Sequence, residues 1–124
     1  SLNPGGKAAI QGITIDDKLF NRYKNSEDYI QKYIFPGGFL PSINLIKEIT
    51  KKNDLSIEAI NSYSNDYART LSIWRNNFLQ AWDKIAPLGF DNYFKRMWEF
   101  YLSYCEAGFK AKNIDLIQFS MSTK

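Results

Sequence analysis

Apolar residues recur along the chain with two rhythms, one alternating and one in steps of three and four. From Lys7 to Ile15, Ala9, Gln11, Ile13 and Ile15 share one face while Ala8, Ile10, Gly12 and Thr14 share the other. Both faces are mainly apolar, which predicts a strand buried on two sides. Asp16 and Asp17 then stand where a helix favours acidic residues, ahead of Leu19, Phe20 and Tyr23 at helical spacing. Ser26, followed by Glu27 and Asp28, predicts the cap of a short helix through Tyr29, Ile30 and Tyr33, and Pro36 ends it. After the turn-rich Pro36-Gly37-Gly38-Phe39-Leu40-Pro41, Ser42 is placed to cap a helix carrying Leu45, Ile46 and Ile49. Leu55 to Tyr63 alternates again, as a half-exposed strand does.

The strongest periodicity runs from about Asn65 to Ile85, where Tyr67, Leu71, Trp74, Phe78, Ala81 and Ile85 fall on one helical stripe. Ala86-Pro87-Leu88-Gly89 interrupts it, and a second helix carries Phe94, Met97, Tyr101, Cys105 and Gly108. Asn113 marks a turn into a closing strand, Ile114 to Met121. Strand, helices, strand, helical pair, strand is the order of an α/β layered unit rather than a bundle. Three strands make a poor sheet on their own. An uncovered edge or face of the first strand therefore predicts self-association unless further strands lie beside it.

Composition narrows the chemistry. A chain of 124 residues, 44% hydrophobic and 23% charged, suits one domain and is short for a complete cofactor-dependent enzyme. It opens at Ser1, and Leu2-Asn3-Pro4-Gly5-Gly6 is a turn with no element before it, so a longer protein is expected. A net charge of +3 is too small to point to nucleic acid. The absence of histidine removes Ser-His-Asp and Cys-His pairs, imidazole metal sites and the usual proton shuttle of neutral pH. One cysteine, Cys105, makes neither an internal disulfide nor a thiolate zinc cage, so no metal is expected and a reducing compartment is the default. No run approaches the ~20 apolar residues of a spanning helix. Nine Phe, eight Tyr and three Trp are a ring-rich inventory, denser than a routine core requires.

Several motifs have plain structural readings. Pro4-Gly5-Gly6-Lys7 lacks the Ser or Thr of a phosphate loop and leads into a strand, not a helix. Asp16 and Asp17 are adjacent and point apart, which suits capping better than paired acid and base. Lys47, Lys51 and Lys52 complement the dipole at a helix C-terminus. Cys105 lies on an apolar stripe beside Glu106 without a fixed cation, the setting of a buried, inert thiol. Tyr67 is open between a core ring with a tethered hydroxyl and a site residue.

Taken together, Tyr29-Ile30-Gln31-Lys32-Tyr33-Ile34-Phe35-Pro36-Gly37-Gly38-Phe39-Leu40-Pro41-Ser42 resembles the signature segment of the cyclopropane-fatty-acyl-phospholipid synthase and mycolic acid cyclopropane synthase family. The resemblance continues through Asp66-Tyr67-Ala68-Arg69-Thr70-Leu71-Ser72-Ile73-Trp74 and the segment from Phe94 to Phe109, and ends with Ile114-Asp115-Leu116-Ile117-Gln118-Phe119. It implies the C-terminal part of a seven-stranded, Rossmann-like S-adenosylmethionine-dependent methyltransferase fold. Residues 1–124 would supply the fifth, sixth and antiparallel seventh strands, with a helical pair before the last strand. The cofactor would be bound mainly by an N-terminal half, and the fragment alone is expected to be inactive.

The chemistry implied is transfer of the sulfonium methyl to a cis double bond in an unsaturated phospholipid acyl chain, followed by proton loss and closure of a cyclopropane ring. An apolar tunnel would bury the alkyl chain at ~0.8 kcal/mol per methylene and keep water from the cation. Tyr33, Phe35, Phe39, Trp74, Phe78 and Tyr101 are the substrate-lining candidates the resemblance suggests. Bicarbonate or carbonate would act as base, held by the Tyr67 hydroxyl, by the side chain at Gln11, where the family has histidine, and by the backbone of Ile13. Cys105 matches a cysteine assigned as active. Gln11 donates a hydrogen bond but cannot titrate, so a methylene- or methyl-branched product is the alternative to a ring. A non-catalytic lipid-binding or interaction domain is the rival from a different class. The location implied is cytoplasmic, with peripheral contact at the inner face of the membrane.

Overall fold

The computed structural model describes residues 2–124. Its sheet has three strands: β1 (Lys7–Ile15), β2 (Leu55–Ser62) and β3 (Ile114–Thr123). Their order is β1-β3-β2 and both pairings are antiparallel, so β1 and β2 run parallel to each other on either side of β3. Between the strands lie α1 (Asp17–Lys24), a single π-helical turn (Ile30–Ile34), α2 (Ile43–Lys52), α3 (Ser64–Gln80), the short α4 (Trp82–Ile85), and α5 (Asn92–Lys110).

Local chemistry sets the boundaries. Asp16 Oδ1 accepts from the Lys18 amide at 2.8 Å, and Asp17 Oδ1 accepts from the Asn44 amide at 3.0 Å. The two carboxylates thus serve the N-termini of α1 and α2, the capping role read from the sequence. Ser42 Oγ accepts from the Leu45 amide at 3.1 Å and starts α2. The cap before Tyr29 is Asp28, not Ser26. Asp28 Oδ1 accepts from the Gln31 amide at 2.9 Å while Gln31 Oε1 accepts from the Asp28 amide at 3.0 Å, a reciprocal capping box. Ser26 instead donates to the Arg22 carbonyl and closes α1.

The helical pair is the core. Ala68 and Leu71 of α3 interlock with Leu102, Cys105 and Phe109 of α5, and Ile13, Ile114 and Leu116 of the sheet pack against them. The buried stripes are rotated from those the periodicity selected: Trp74 is half-exposed, while Ala68 and Leu102 are buried. A Cβ at Gly108 would lie 3.0 Å from the Ile114 side chain, so glycine there lets β3 begin close under α5. Glu106 is buried between the helices, 3.3 Å from Arg75 Nη2 and 2.6 Å from Lys110 Nζ. Arg75 also donates to Ser103 Oγ at 2.9 Å, which fixes the two long helices in register.

β1 departs from the expected two-sided burial. Thr14 and Ile15 are buried, but Ala9, Ile10 and Gln11 are exposed, because the helical layer covers only the C-terminal end of this edge strand.

Candidate active site

Where α3, α5, the end of β1 and the π-helical turn converge, they enclose a cavity of about 360 Å³, within the range of small-molecule sites. Ile13, Phe35, Phe39, Tyr67, Tyr101 and Cys105 all line it. Asp28 is its single charged lining side chain among the described residues. Gln31 steadies the rim by donating from Nε2 to the Gly38 carbonyl at 2.9 Å, which ties the turn to the Gly37-Gly38 loop. Gly37 has φ +79°, a conformation that favours glycine.

Tyr67 sits in the first turn of α3, its ring edge-on to Phe109 with centroids 4.8 Å apart and edge-on to Trp74 at 5.9 Å. Its hydroxyl has no hydrogen-bond partner among the described residues, and neither does that of Tyr101. Burial, and then the neighbouring Cys105, raise the Tyr67 phenol above its usual value. Burial pushes Tyr101 up to about 12, with Cys105 and Tyr67 adding to it. The Cys105 thiol also rises to about 12, through burial and then the Asp28 carboxylate. All three groups are therefore neutral at physiological pH. The phenols are hydrogen-bond donors lining a mainly apolar space, and the thiol stays protonated, the form that is a poor nucleophile.

Cys105 should resist alkylation by iodoacetamide at pH 7–8 in the folded protein and react when the chain is unfolded in denaturant. Because its folded value lies above the unfolded one of 9.0, this group's contribution to stability is complete below about pH 9 and is lost as the pH rises towards 12. Rapid labelling of the native protein at neutral pH would contradict this assignment.

The remaining site candidates are placed apart from the cavity. Gln11 shares a strand face with Ile13 but lies two residues along, exposed, where Gln118 Nε2 donates to its Oε1 at 2.9 Å. That contact orients the carboxamide and leaves its own NH₂ free to donate. Trp74 reaches the cavity only through the Tyr67 ring. Phe78 packs with Trp82 and Phe94 further along the helical pair. Tyr33 is 44% exposed and packs on Tyr29, on the opposite side of the π-helical turn. Asp28, Gln31 and Tyr23 line the cavity without having been singled out, although Asp28 followed three residues later by Gln31 is a capping pattern legible in the sequence.

The family profile described as mycolic acid cyclopropane synthetase matches residues 1–119. The chain belongs to this family. A tuberculostearic acid methyltransferase of Mycobacterium tuberculosis, UfaA1, is 45% identical over 97% of the chain. The cyclopropane-fatty-acyl-phospholipid synthase of Escherichia coli K12 is 40% identical over 79% of it. Among solved structures of cyclopropane synthases, M. tuberculosis MmaA2 aligns with a TM-score of 0.86 at 23% identity, a likeness of fold. CmaA1 complexed with SAH and CTAB aligns with a TM-score of 0.85 at 25% identity, and each alignment covers 98% of this chain. The chain spans 28% and 25% of the lengths of the two curated relatives and 46% of each solved chain.

Members of this family are S-adenosylmethionine-dependent methyltransferases that modify fatty acids. Pro4-Gly5-Gly6 turns into β1 rather than into a helix N-terminus, and the lining of the 360 Å³ cavity is mainly apolar. No helix among the described residues is long and apolar enough to cross a membrane.

Proposed function

We propose that residues 1–124 are the C-terminal part of one methyltransferase catalytic domain and form its acyl-chain side, in a protein that methylates the cis double bond of an unsaturated phospholipid acyl chain. The observation that carries this reading is the cavity itself: a mainly apolar space lined by two neutral phenols, Tyr67 and Tyr101, whose hydroxyls have no protein partner among the described residues. Phe35, Phe39 and Ile13 bury the alkyl chain, and enclosure keeps water from a positively charged carbon. The faces of Tyr67 and Tyr101 stabilise such a charge, worth ~1–2 kcal/mol once desolvated.

The reading includes a small oxyanion as base. The Tyr67 hydroxyl at the cavity and the free NH₂ of Gln11, exposed outside it, are both donors, and Gln11 is two residues from Ile13, whose side chain lines the cavity. These groups would hold bicarbonate or carbonate, which supplies a base where the chain has no imidazole. Because Gln11 cannot share a proton, methyl- or methylene-branched products compete with the cyclopropane ring in this reading. Gln11→His in the full-length protein should raise the ratio of ring to branch, read by mass spectrometry after hydrogenation of the product lipids. An unchanged ratio removes Gln11 from the base.

The reading as a whole is tested by incubating full-length protein with methyl-labelled S-adenosylmethionine and a cis-unsaturated phospholipid. Label should appear in the acyl chain. Unlabelled lipid would favour the non-catalytic lipid-binding alternative.

A further inference from the structure

A carboxylate is an unexpected lining for a space that otherwise suits an alkyl chain. Asp28, half-buried, stands in the wall shared by the 360 Å³ cavity and a larger neighbour of about 670 Å³, a boundary completed by Tyr23, Ile30, Leu40 and Ile114. Its contacts hold it in place without neutralising it. Oδ1 accepts from the Gln31 amide at 2.9 Å, and Oδ2 accepts from the Tyr104 hydroxyl at a long 3.4 Å. None of the ion pairs among the described residues includes Asp28. Arg22 lines the larger cavity without pairing with it, and Lys32, on the π-helical turn, holds its Nζ over the Tyr33 ring, 5.2 Å from the centroid.

The capping role does not account for the charge. Asn caps as well as Asp, and a carboxylate against apolar side chains costs free energy that an opposite charge would offset. The field of this carboxylate reaches the other groups of the site. Second to burial, Asp28 raises the Cys105 thiol, and Cys105 in turn adds to the rise of the Tyr67 and Tyr101 phenols. An aromatic-lined cavity with one unpaired carboxylate is built for a cation.

We infer that Asp28 is the counter-ion of the positive charge that methylation leaves on the acyl chain. The inference rests on the acyl-chain reading above and adds a catalytic residue to it. Transfer of a sulfonium methyl to an alkene leaves one positive charge on the chain, and loss of a proton to the base removes it. The cavity must therefore accept a charge that neither the starting acyl chain nor its product carries. A carboxylate fixed beforehand by the Asp28–Gln31 capping box meets that charge without reorganising, in surroundings that screen it less than water does. Because the unreacted acyl chain is neutral, the attraction acts on the cation and on the transition state leading to it, not on substrate binding.

Asp28→Asn keeps the cap and removes the charge. In the full-length protein it should lower kcat by about tenfold or more, with KM for the lipid and the denaturation midpoint nearly unchanged. Binding gives a readout apart from turnover. The probe is a phospholipid whose acyl chain carries a secondary amine in place of the alkene, protonated at pH 7 as alkylamines are, compared with the isosteric ether. Unmodified protein should bind the ammonium lipid about tenfold or more tightly than the ether, and Asp28→Asn should abolish that preference while binding the ether as before. An unchanged kcat in Asp28→Asn, or a preference for the ammonium lipid that survives in it, would overturn the assignment. Equal binding of the two lipids by unmodified protein would remove the counter-ion and leave the acyl-chain cavity standing, whereas failure to bind either would remove both.

Discussion

Tyr67→Phe is expected to lower kcat by about 10²-fold or more while leaving cofactor affinity and folding stability nearly unchanged. The two halves of that expectation come from one observation. The Tyr67 hydroxyl meets no protein acceptor or donor among the described residues, so its deletion breaks no internal hydrogen bond and should cost under ~1 kcal/mol of stability. The ring itself, wedged against Phe109 and Trp74, remains in the variant and keeps the cavity's shape. What is lost is the donor that would face the oxyanion and the electron-rich phenol beside the reacting carbon. Steady-state kinetics on the full-length protein, together with a denaturation midpoint, measures both quantities. A parallel loss of cofactor binding, or a large fall in stability, would mean that the hydroxyl has a structural task instead.

Phe109→Ala carries the largest expected cost in stability. Phe109 is fully buried, touches Tyr67, and belongs to the cluster that joins α3 to α5. Deleting its ring should cost ~3–5 kcal/mol, combining lost transfer energy with an unfilled cavity. That is a substantial share of the ~5–15 kcal/mol that separates folded from unfolded chains in typical domains. Activity should fall too, because Tyr67 loses the ring edge that fixes its orientation. Leu88→Ala, 75% exposed, is the matched control and should lie within about 0.5 kcal/mol of the unmodified protein. Chemical denaturation compares the pair. A cost under ~1 kcal/mol at Phe109 would show that the helical pair is not the core.

Alternation and helical spacing were enough to locate β2, β3, α2 and the long helices, since those signals arise within each segment. Burial was harder to read, because it depends on what lies opposite. β1 has two apolar faces, but the helical layer covers only its C-terminal end, so Ile10 is 44% exposed although the sequence pattern buries it. On α3, Tyr67, Leu71 and Trp74 are correctly spaced, but the tight approach of α5 selects Ala68 and Leu71 as the deepest residues and leaves Trp74 at the rim. A stripe assigned from period alone is wide enough to miss that rotation.

The candidate site followed the same division. Phe35, Phe39, Tyr101 and Tyr67 come from distant segments and meet at one cavity, a convergence that the family resemblance implied and periodicity did not. Tyr33 and Phe35 are only two residues apart, yet the π-helical turn sends them to opposite sides. Asp28 lines the cavity and, second to burial, raises the Cys105 thiol from a distant segment, a relation that spacing along the chain does not encode.

Photocrosslinking tests the acyl-chain cavity most directly. A phospholipid with a diazirine in place of the cis double bond would be bound to full-length protein, activated, and the adducts mapped by mass spectrometry. Adducts should concentrate on Ile13, Phe35, Tyr67 and Tyr101. Adducts confined to α2 and β2, or to Tyr93 and Phe100 on the outer face of α5, would mean that the alkene never enters the space between the long helices.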